Sequence, residues 1–396
     1  MTTRLSSDTI WNPVFTFVFI SNTFKYLGIH MVNTLISKYA DALGASATIV
    51  GGVSSIFAAS ALAFKVFSGP AIDSFNRKIV LIAASSVVLL SYIGYSLSVN
   101  VQMLFAFRFL QGCGQAFTAT CGLALAADSL PGDKLGAGLG TFILAQSVCQ
   151  AIGPSASLYL AGLFGYSIAF AITTLCMVFS IVSAIFIKPP ERERSVFKIT
   201  LKGFAAREAI LPSVLIFFLQ MTFCTINAFL VIYAESRGVM NIGSFYTVYA
   251  ITMIFIPRLV GRLVTRWGTI KAALPAMACF AIAFLLISLS KTLPFFLLSA
   301  TVSACGYGAA QPAIQALSMK SVPPSRRGAA SSTSYIGLDL GNLIGPVAAG
   351  AIVVRLGYAA MWRIMIVPVG FAVVTALLFQ KRLSRIEEGQ HYLTSA

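Results

Sequence analysis

Four polar side chains, Arg108, Gln111, Gln115 and Thr118, recur at spacings of three, four and three residues. That spacing puts them on one stripe of an α-helix. The residues around them are apolar, so the stripe belongs to a segment of the kind that crosses a bilayer. An arginine at mid-bilayer costs at least about 2.5–3.5 kcal/mol on insertion scales, and it needs a partner or a water-filled cavity. Its chemistry is electrostatic: it can answer an acid, hold an anion, or bond neighbouring carbonyls to fix packing. Asp339 is the one acid deep inside an apolar run. An acid there can carry a proton, stand as the permanent partner of Lys25 or Arg108, or serve as a cap, and the sequence leaves all three readings open.

Amides and tyrosines gather in the same kind of surroundings. Asn22, Lys25, Tyr26, Ile29 and Asn33 share one broad face of the first apolar run, with His30 at its edge, while the seventh run carries Gln220, Cys224 and Asn227. Tyr246 and Tyr249, and then Tyr307, Gln311 and Gln315, add further polar tips. Such residues suit the wall of a polar cavity between helices. They equally suit helix-to-helix hydrogen bonds worth about 0.6 kcal/mol each. No nucleophile with a base and an orienting group can be assembled from the sequence, and no phosphate-binding loop is present, so catalysis and ATP use are not expected. The seven cysteines all fall within apolar runs and show no metal spacing, so neither a disulfide framework nor a metal or other cofactor is expected.

The elements that position these groups are helices in a membrane. The chain is 58% hydrophobic and 10% charged, with a mean hydropathy of +0.86, far from the roughly 25% charge of soluble domains. Apolar runs of about 20 residues, the length that crosses the hydrocarbon core, occur near 12–38, 47–67, 79–98, 101–127, 136–160 and 166–187. A second set lies near 211–234, 242–260, 270–290, 294–319, 328–353 and 358–380. The strict alternation of a β-barrel is absent. The first run, carrying Asn22, Lys25, His30 and Asn33, is too long and polar for a cleavable signal. The expected fold is therefore an all-α membrane protein of twelve transmembrane helices. Its six-helix bundles lie at 1–187 and 211–381, with a linker at 188–210 and a tail at 382–396. In the linker, Phe197, Leu201 and Phe204 beside Lys198, Lys202 and Arg207 suit either a basic surface helix or a solvated tether between the halves. The net charge of +16 reflects a topology rather than nucleic-acid binding, because most Lys and Arg fall on the side shared by the termini and the linker. The positive-inside rule makes that side cytoplasmic.

The two sets of six are copies. An offset of about 192 residues carries Gly69 onto Gly261, Gly153-Pro154 onto Gly345-Pro346, and Gly165-Tyr166 onto Gly357-Tyr358. With two more residues it carries Tyr39-Ala40-Asp41 onto Tyr233-Ala234-Glu235. The polar loop 69–78, Gly-Pro-Ala-Ile-Asp-Ser-Phe-Asn-Arg-Lys, resembles the G-x-x-x-D-x-x-x-R-K signature of the major facilitator superfamily, with Asn76 where glycine is usual. The run from Arg108 through Gln111, Gly112 and Gly114 to Ala116 is similar to the R-x-x-Q-G-x-G-x-A stretch of its drug:proton antiporter and sugar-efflux branch. The Gly153-Pro154 and Gly345-Pro346 pairs resemble the glycine-proline motif of antiporters.

The resemblance implies two pseudo-symmetric bundles alternating in access about a central site, with a role for Arg108 in proton coupling. Gly69 would let the second and eleventh helices approach closely. Asp73 would face the start of the eleventh helix near Gly328, and Arg77 or Lys78 would pair with Asp128. Asn76, which tolerates a left-handed conformation, would preserve the turn. The sister loop has Thr265 for Asp73, and Lys320 stands in place of Asp128, so an acid-based latch belongs to the first half. Small residues at Gly153, Gly341, Gly345 and Gly350 would pack backbones closely, and Pro154 and Pro346 would permit bends. The expected partners are the lipid bilayer, a small-molecule substrate and protons, in a monomer. The expected activity is proton-driven efflux of an amphipathic organic solute. The alternatives are uptake of an organic anion by symport, and a receptor or channel that drives nothing.

Overall fold

A computed structural model describes residues 10–131, 134–188, 206–323 and 326–387. In hydrocarbon every backbone amide needs an internal partner, and these apolar runs meet that demand as helices. The first repeat supplies α1 (Pro13–Ala42), α2 (Ala47–Ser74), α3 (Arg77–Leu97), α4 (Val101–Asp128), α5 (Leu135–Phe164) and α6 (Tyr166–Ile185). The second supplies α7 (Ile210–Ser236), α8 (Gly243–Trp267), α9 (Thr269–Leu289) and α10 (Leu293–Lys320). The helical stretch Arg327–Ile364 is broken at Gly357, with φ 80° and ψ 169°. So α11 ends before that glycine, and α12 follows it and continues through Ile366–Leu378. A short α13 (Gln380–Glu387) closes the described chain. α6 has 20 residues and α1 has 30, enough at about 1.5 Å per residue to cross the roughly 30 Å hydrocarbon core.

The duplication is visible in the breaks between helices. Gly165 separates α5 from α6 at φ 82° and ψ 170°, nearly the conformation of its copy Gly357. Positive φ at these positions is where a missing Cβ matters. The loops after α2 and α8 differ. Gly268 takes φ 85°, whereas its counterpart Asn76 lies at φ −64° and ψ 115°, and its side chain accepts from the Lys78 amide at 3.0 Å. Asn76 therefore preserves the turn as an N-cap, not through a left-handed backbone as its amide side chain had suggested. Capping wins because it satisfies a free amide of α3 at no cost in backbone strain.

Two compact units emerge. One comprises residues 1–35 and 60–199, the other 36–59 and 200–396. In the first, α3 packs on α4 and α6; in the second, the equivalent α9 packs on α10 and α12, and α7 lies along α11. The first unit has an apolar plug of Phe15, Val18, Ile72, Leu81, Leu125 and Phe142. Ile168, Leu175, Phe179, Val182 and Phe186 form an exposed stripe down α6, as do Val367, Phe371, Val374 and Leu378 on α12. Such faces would be a liability in water, and here they meet lipid.

The expected surface helix around Phe197, Leu201 and Phe204 lies outside the described residues, as does the tail beyond 387. Where the chain resumes, the Ala206 amide donates to Thr333 Oγ1 at 2.9 Å and Arg326 bridges Glu208 at 2.8 Å. Those contacts tie the entry of α7 to the start of α11.

Candidate functional site

The α4 stripe faces the interior of the first unit. Arg108 is 3% exposed and Gln111 is wholly buried. Arg108 donates to Gln111 Oε1 at 2.7 Å and to Asn33 Oδ1 at 2.8 Å. Tyr95 on α3 donates to the same Gln111 oxygen at 2.7 Å, and the Gln111 amide reaches the Tyr92 hydroxyl at 3.5 Å. The guanidinium is thus held by neutral oxygens from α1 and α4, within a network that also fixes two buried tyrosines. Tyr92 and Tyr95 are absent from the sequence-derived set; their signal was two phenols one turn apart in mid-span, where each hydroxyl needs a partner.

One to three turns further along α4, the stripe meets Lys25. Lys25 is 2% exposed, and its ammonium donates to the Thr118 carbonyl at 3.1 Å and lies 4.8 Å from the Tyr26 ring centre. The Thr118 hydroxyl donates to Gln115 Oε1 at 3.2 Å. Asn22, one turn before Lys25 and 3% exposed, has neither polar atom bonded. Tyr26 and Gln115 are half-buried. His30 is half-buried too, stacks on Tyr26 at 6.3 Å, and leaves Nε2 without a partner.

The second unit builds a neutral counterpart. Gln220 donates to Asn342 on α11 at 2.7 Å and accepts from the Tyr307 hydroxyl on α10. Phe223 stacks on Tyr307 with centroids 4.0 Å apart, and Tyr249 flanks Phe223 at 5.9 Å with its own hydroxyl unpaired. Gln311 donates to Gln315 at 2.9 Å, and Tyr246 lies 3.5 Å from the Ile226 carbonyl. Asn227, the copy of Asn33, is half-buried. Asp339 lies on α11 one turn after Tyr335 and three residues before Asn342, on the same face. Asn342 went unnoticed in the sequence, although its spacing from Asp339 was the available signal.

Glycines set how close these helices come. A Cβ at Gly153 would lie 2.9 Å from the His30 Cβ on α1, and one at its copy Gly345 would lie 2.2 Å from the Met221 carbonyl on α7. Gly341 and Gly337 continue the latter contact toward Gln220 and Ser213, at 2.8 and 2.5 Å. Pro154 and Pro346 sit beside these contacts inside α5 and α11.

A Cβ on Gly69 would find nothing within 4 Å, and α2 meets α11 at its other end. There a Cβ on Gly51 would lie 2.1 Å from the Pro346 carbonyl, and one on Gly350 would lie 2.3 Å from the Ala47 carbonyl. Beside this contact Lys38 of α1 bridges Glu235 of α7 at 2.5 Å. These residues all belong to the second unit, because its boundary cuts through α1 and α2. At the loop itself, Arg77 forms an ion pair with Asp128, and Lys78 donates to the Ile185 carbonyl at 2.5 Å. The Asp73 side chain lies outside the described set. Lys320 ends α10 at the position equivalent to Asp128.

Comparison with known proteins agrees with this architecture. The family model described as Major Facilitator Superfamily matches residues 18–239 and 212–391. An uncharacterised MFS-type transporter of Methanocaldococcus jannaschii is 25% identical over 93% of this chain and 97% of its own length. The multi-drug resistance efflux pump PmrA of Streptococcus pneumoniae is 23% identical over 84% of this chain and 86% of its own. Among solved structures, a peptide transporter POT in complex with sulfate superposes with a TM-score of 0.78 at 13% identity, over 94% of this chain and 95% of that one. A duplicated set of apolar helices, a family match covering both copies and whole-length superposition lead to one assignment: the chain is a multi-pass membrane transporter, not an enzyme, and it belongs to the major facilitator superfamily.

Proposed function

We propose that this chain is a proton-driven exporter of small amphipathic organic solutes, working as a monomer by alternating access. One observation carries the reading: an arginine with no solvent of its own, Arg108, is wired through Gln111 and Asn33 into helices that line the interior of the first unit. A buried charge that costs so much to place marks a working site in a membrane protein. The name of the Streptococcus pneumoniae relative supports export of drug-like molecules. Asp339 on α11 is the proton carrier in this reading, and Arg108 tunes the coupling. The amides and tyrosines from Asn22 to Gln315 contact the solute. The basic flank of the helices supports a position in the cytoplasmic membrane with both termini inside. Asp73, Arg77, Lys78 and Asp128 act as a latch on that side, and the glycine contacts of α5 and α11 give close-packed seals.

The test is flux in vesicles holding the purified protein. An imposed proton gradient should drive solute across the membrane, with protons moving oppositely, and Asp339→Asn should abolish the coupling. Flux indifferent to gradients of either sign, together with an Asp339→Asn variant that matches the parent, overturns proton coupling through that residue. Protons moving in the same direction as the solute would instead establish symport of an organic anion, the reading favoured by two buried cations in the first unit.

A further inference from the structure

The mechanism above leaves one buried group unused. Lys25 lies in the first unit without a carboxylate partner among the described residues, bonded only to the Thr118 carbonyl and resting on Tyr26. An ammonium has three N–H groups, and this geometry occupies one. One turn away Asn22 adds a carboxamide whose nitrogen and oxygen are both buried and unbonded. The two side chains converge on one point of α4. A Cβ built on Gly122 would lie 3.4 Å from both Lys25 Nζ and Asn22 Oδ1, with the Phe142 ring edge at 3.9 Å. A side chain at residue 122 would fill that point, and glycine has none.

Among the described residues of the first unit no acid within a helix interior answers this charge. Of the acids in residues 1–35 and 60–199, Asp73 and Asp128 stand near the ends of α2 and α4, Asp8, Asp133, Glu191 and Glu193 lie outside the described residues, and Asp128 is engaged by Arg77. Buried charges in membrane proteins are paired, and a buried donor left without an acceptor is costly. An anion supplied from outside the chain resolves both. We infer that Lys25, Asn22 and the Gly122 face of α4 form a subsite for the anionic head group, a carboxylate or similar monoanion, of the transported solute. Lys25 donates to its oxygens, the Asn22 carboxamide adds a second donor once turned so that its nitrogen and not Oδ1 faces the Gly122 point, and Gly122 leaves that point without a side chain. Half-buried Tyr26 and Gln115 border the approach, and the Tyr26 ring offers a flat apolar surface to the body of the solute. This assignment rests on the transporter reading and narrows it from amphipathic solutes to amphipathic anions.

Three probes with one body separate the possibilities: phenylbutyrate, its amide phenylbutyramide and the amine phenylbutylamine. Binding to the purified full chain is read from the shift of its thermal unfolding midpoint with probe concentration. The carboxylate should bind at least about tenfold more tightly than the other two. Lys25→Met should bring the three within about twofold, Asn22→Ala should weaken the carboxylate alone, and Lys25→Arg should keep the preference. Lys25→Met should unfold no earlier than the parent without ligand, because it removes a buried charge with no ionic partner. The inference is overturned if the parent binds the three probes equally or shows no shift with millimolar carboxylate. It is also overturned if the preference survives Lys25→Met and vanishes in Arg108→Gln. Vesicle flux distinguishes the two readings. A carboxylate that binds through Lys25 but never crosses the membrane refutes transport and leaves the subsite standing. Amine and amide that cross as fast as the carboxylate refute the subsite and leave transport standing.

Discussion

Replacing Gly51 by valine tests whether the contact between α2 and α11 holds one end of the protein shut. The Cβ of the new side chain would lie 2.1 Å from the Pro346 carbonyl oxygen, and that oxygen belongs to a helix backbone, so no rotamer change can relieve the clash. The tips of α1 and α2 must move about 1.3 Å from α11 to restore an ordinary 3.4 Å contact. Overpacking of this kind costs about 1–3 kcal/mol. If that cost falls on the closed arrangement alone, the balance shifts toward the open one by a factor of about 5 to 150. A cysteine at Ser55, one turn from Gly51 and 2% exposed, reports the change once the native cysteines are replaced. With a membrane-impermeant maleimide, Gly51→Val should raise its labelling rate at least about fivefold. Gly370→Ala, where a Cβ meets nothing within 4 Å, should leave the rate unchanged. Equal rates in the valine variant and its parent would refute the closure argument.

Other outcomes follow from the same geometry. Gly345→Leu should drive α11 off α7 and lower the unfolding midpoint sharply, because its Cβ would press on the Met221 carbonyl at 2.2 Å; an unchanged midpoint would show that the two helices do not pack this closely. Tyr307→Phe should lower stability by about 0.6 to 1.7 kcal/mol, the range of membrane hydrogen bonds, while keeping the stack on Phe223; a larger loss in denaturant titration would mean that the hydroxyl does more than bond Gln220. For Arg77 and Asp128, whose side chains are 12% and 33% exposed, a double-mutant cycle should give a coupling of about 1 kcal/mol that shrinks with salt, and a coupling of zero would remove them as a latch.

The parts legible in the sequence were those set by local pattern. The stripe of Arg108, Gln111, Gln115 and Thr118 follows from helical spacing, and the paired Gly165 and Gly357 breaks follow from the repeat. The parts that escaped depend on helix rotation and docking. Asn342 and Tyr307 bond Gln220 because α7, α10 and α11 turn those faces together, and no spacing within one helix encodes that. Gly51 looked like an ordinary small residue and Gly350 like a close-packing one of unnamed partner, while Gly69 drew attention through its motif; only packing tells which backbone a glycine touches. At Asn76 the local rule chosen was the wrong one, since an asparagine can adopt a left-handed turn or cap a helix, and the free amide of α3 decided for the cap.

The boundary between the compact units, cutting through α1 and α2 after residues 35 and 59, has a consequence for assembly. Residues 36–59 are a strap from the first repeat fastened onto the second through Gly51, Gly350 and the Lys38–Glu235 bridge. Two fragments, 1–187 and 211–396, made as separate chains in one cell should therefore co-purify without the peptide link. The same fragments carrying Gly51→Val and Glu235→Lys should come apart. The covalent chain would then be dispensable for cohesion at the place where it looks continuous, and the strap indispensable where it looks like ordinary helix.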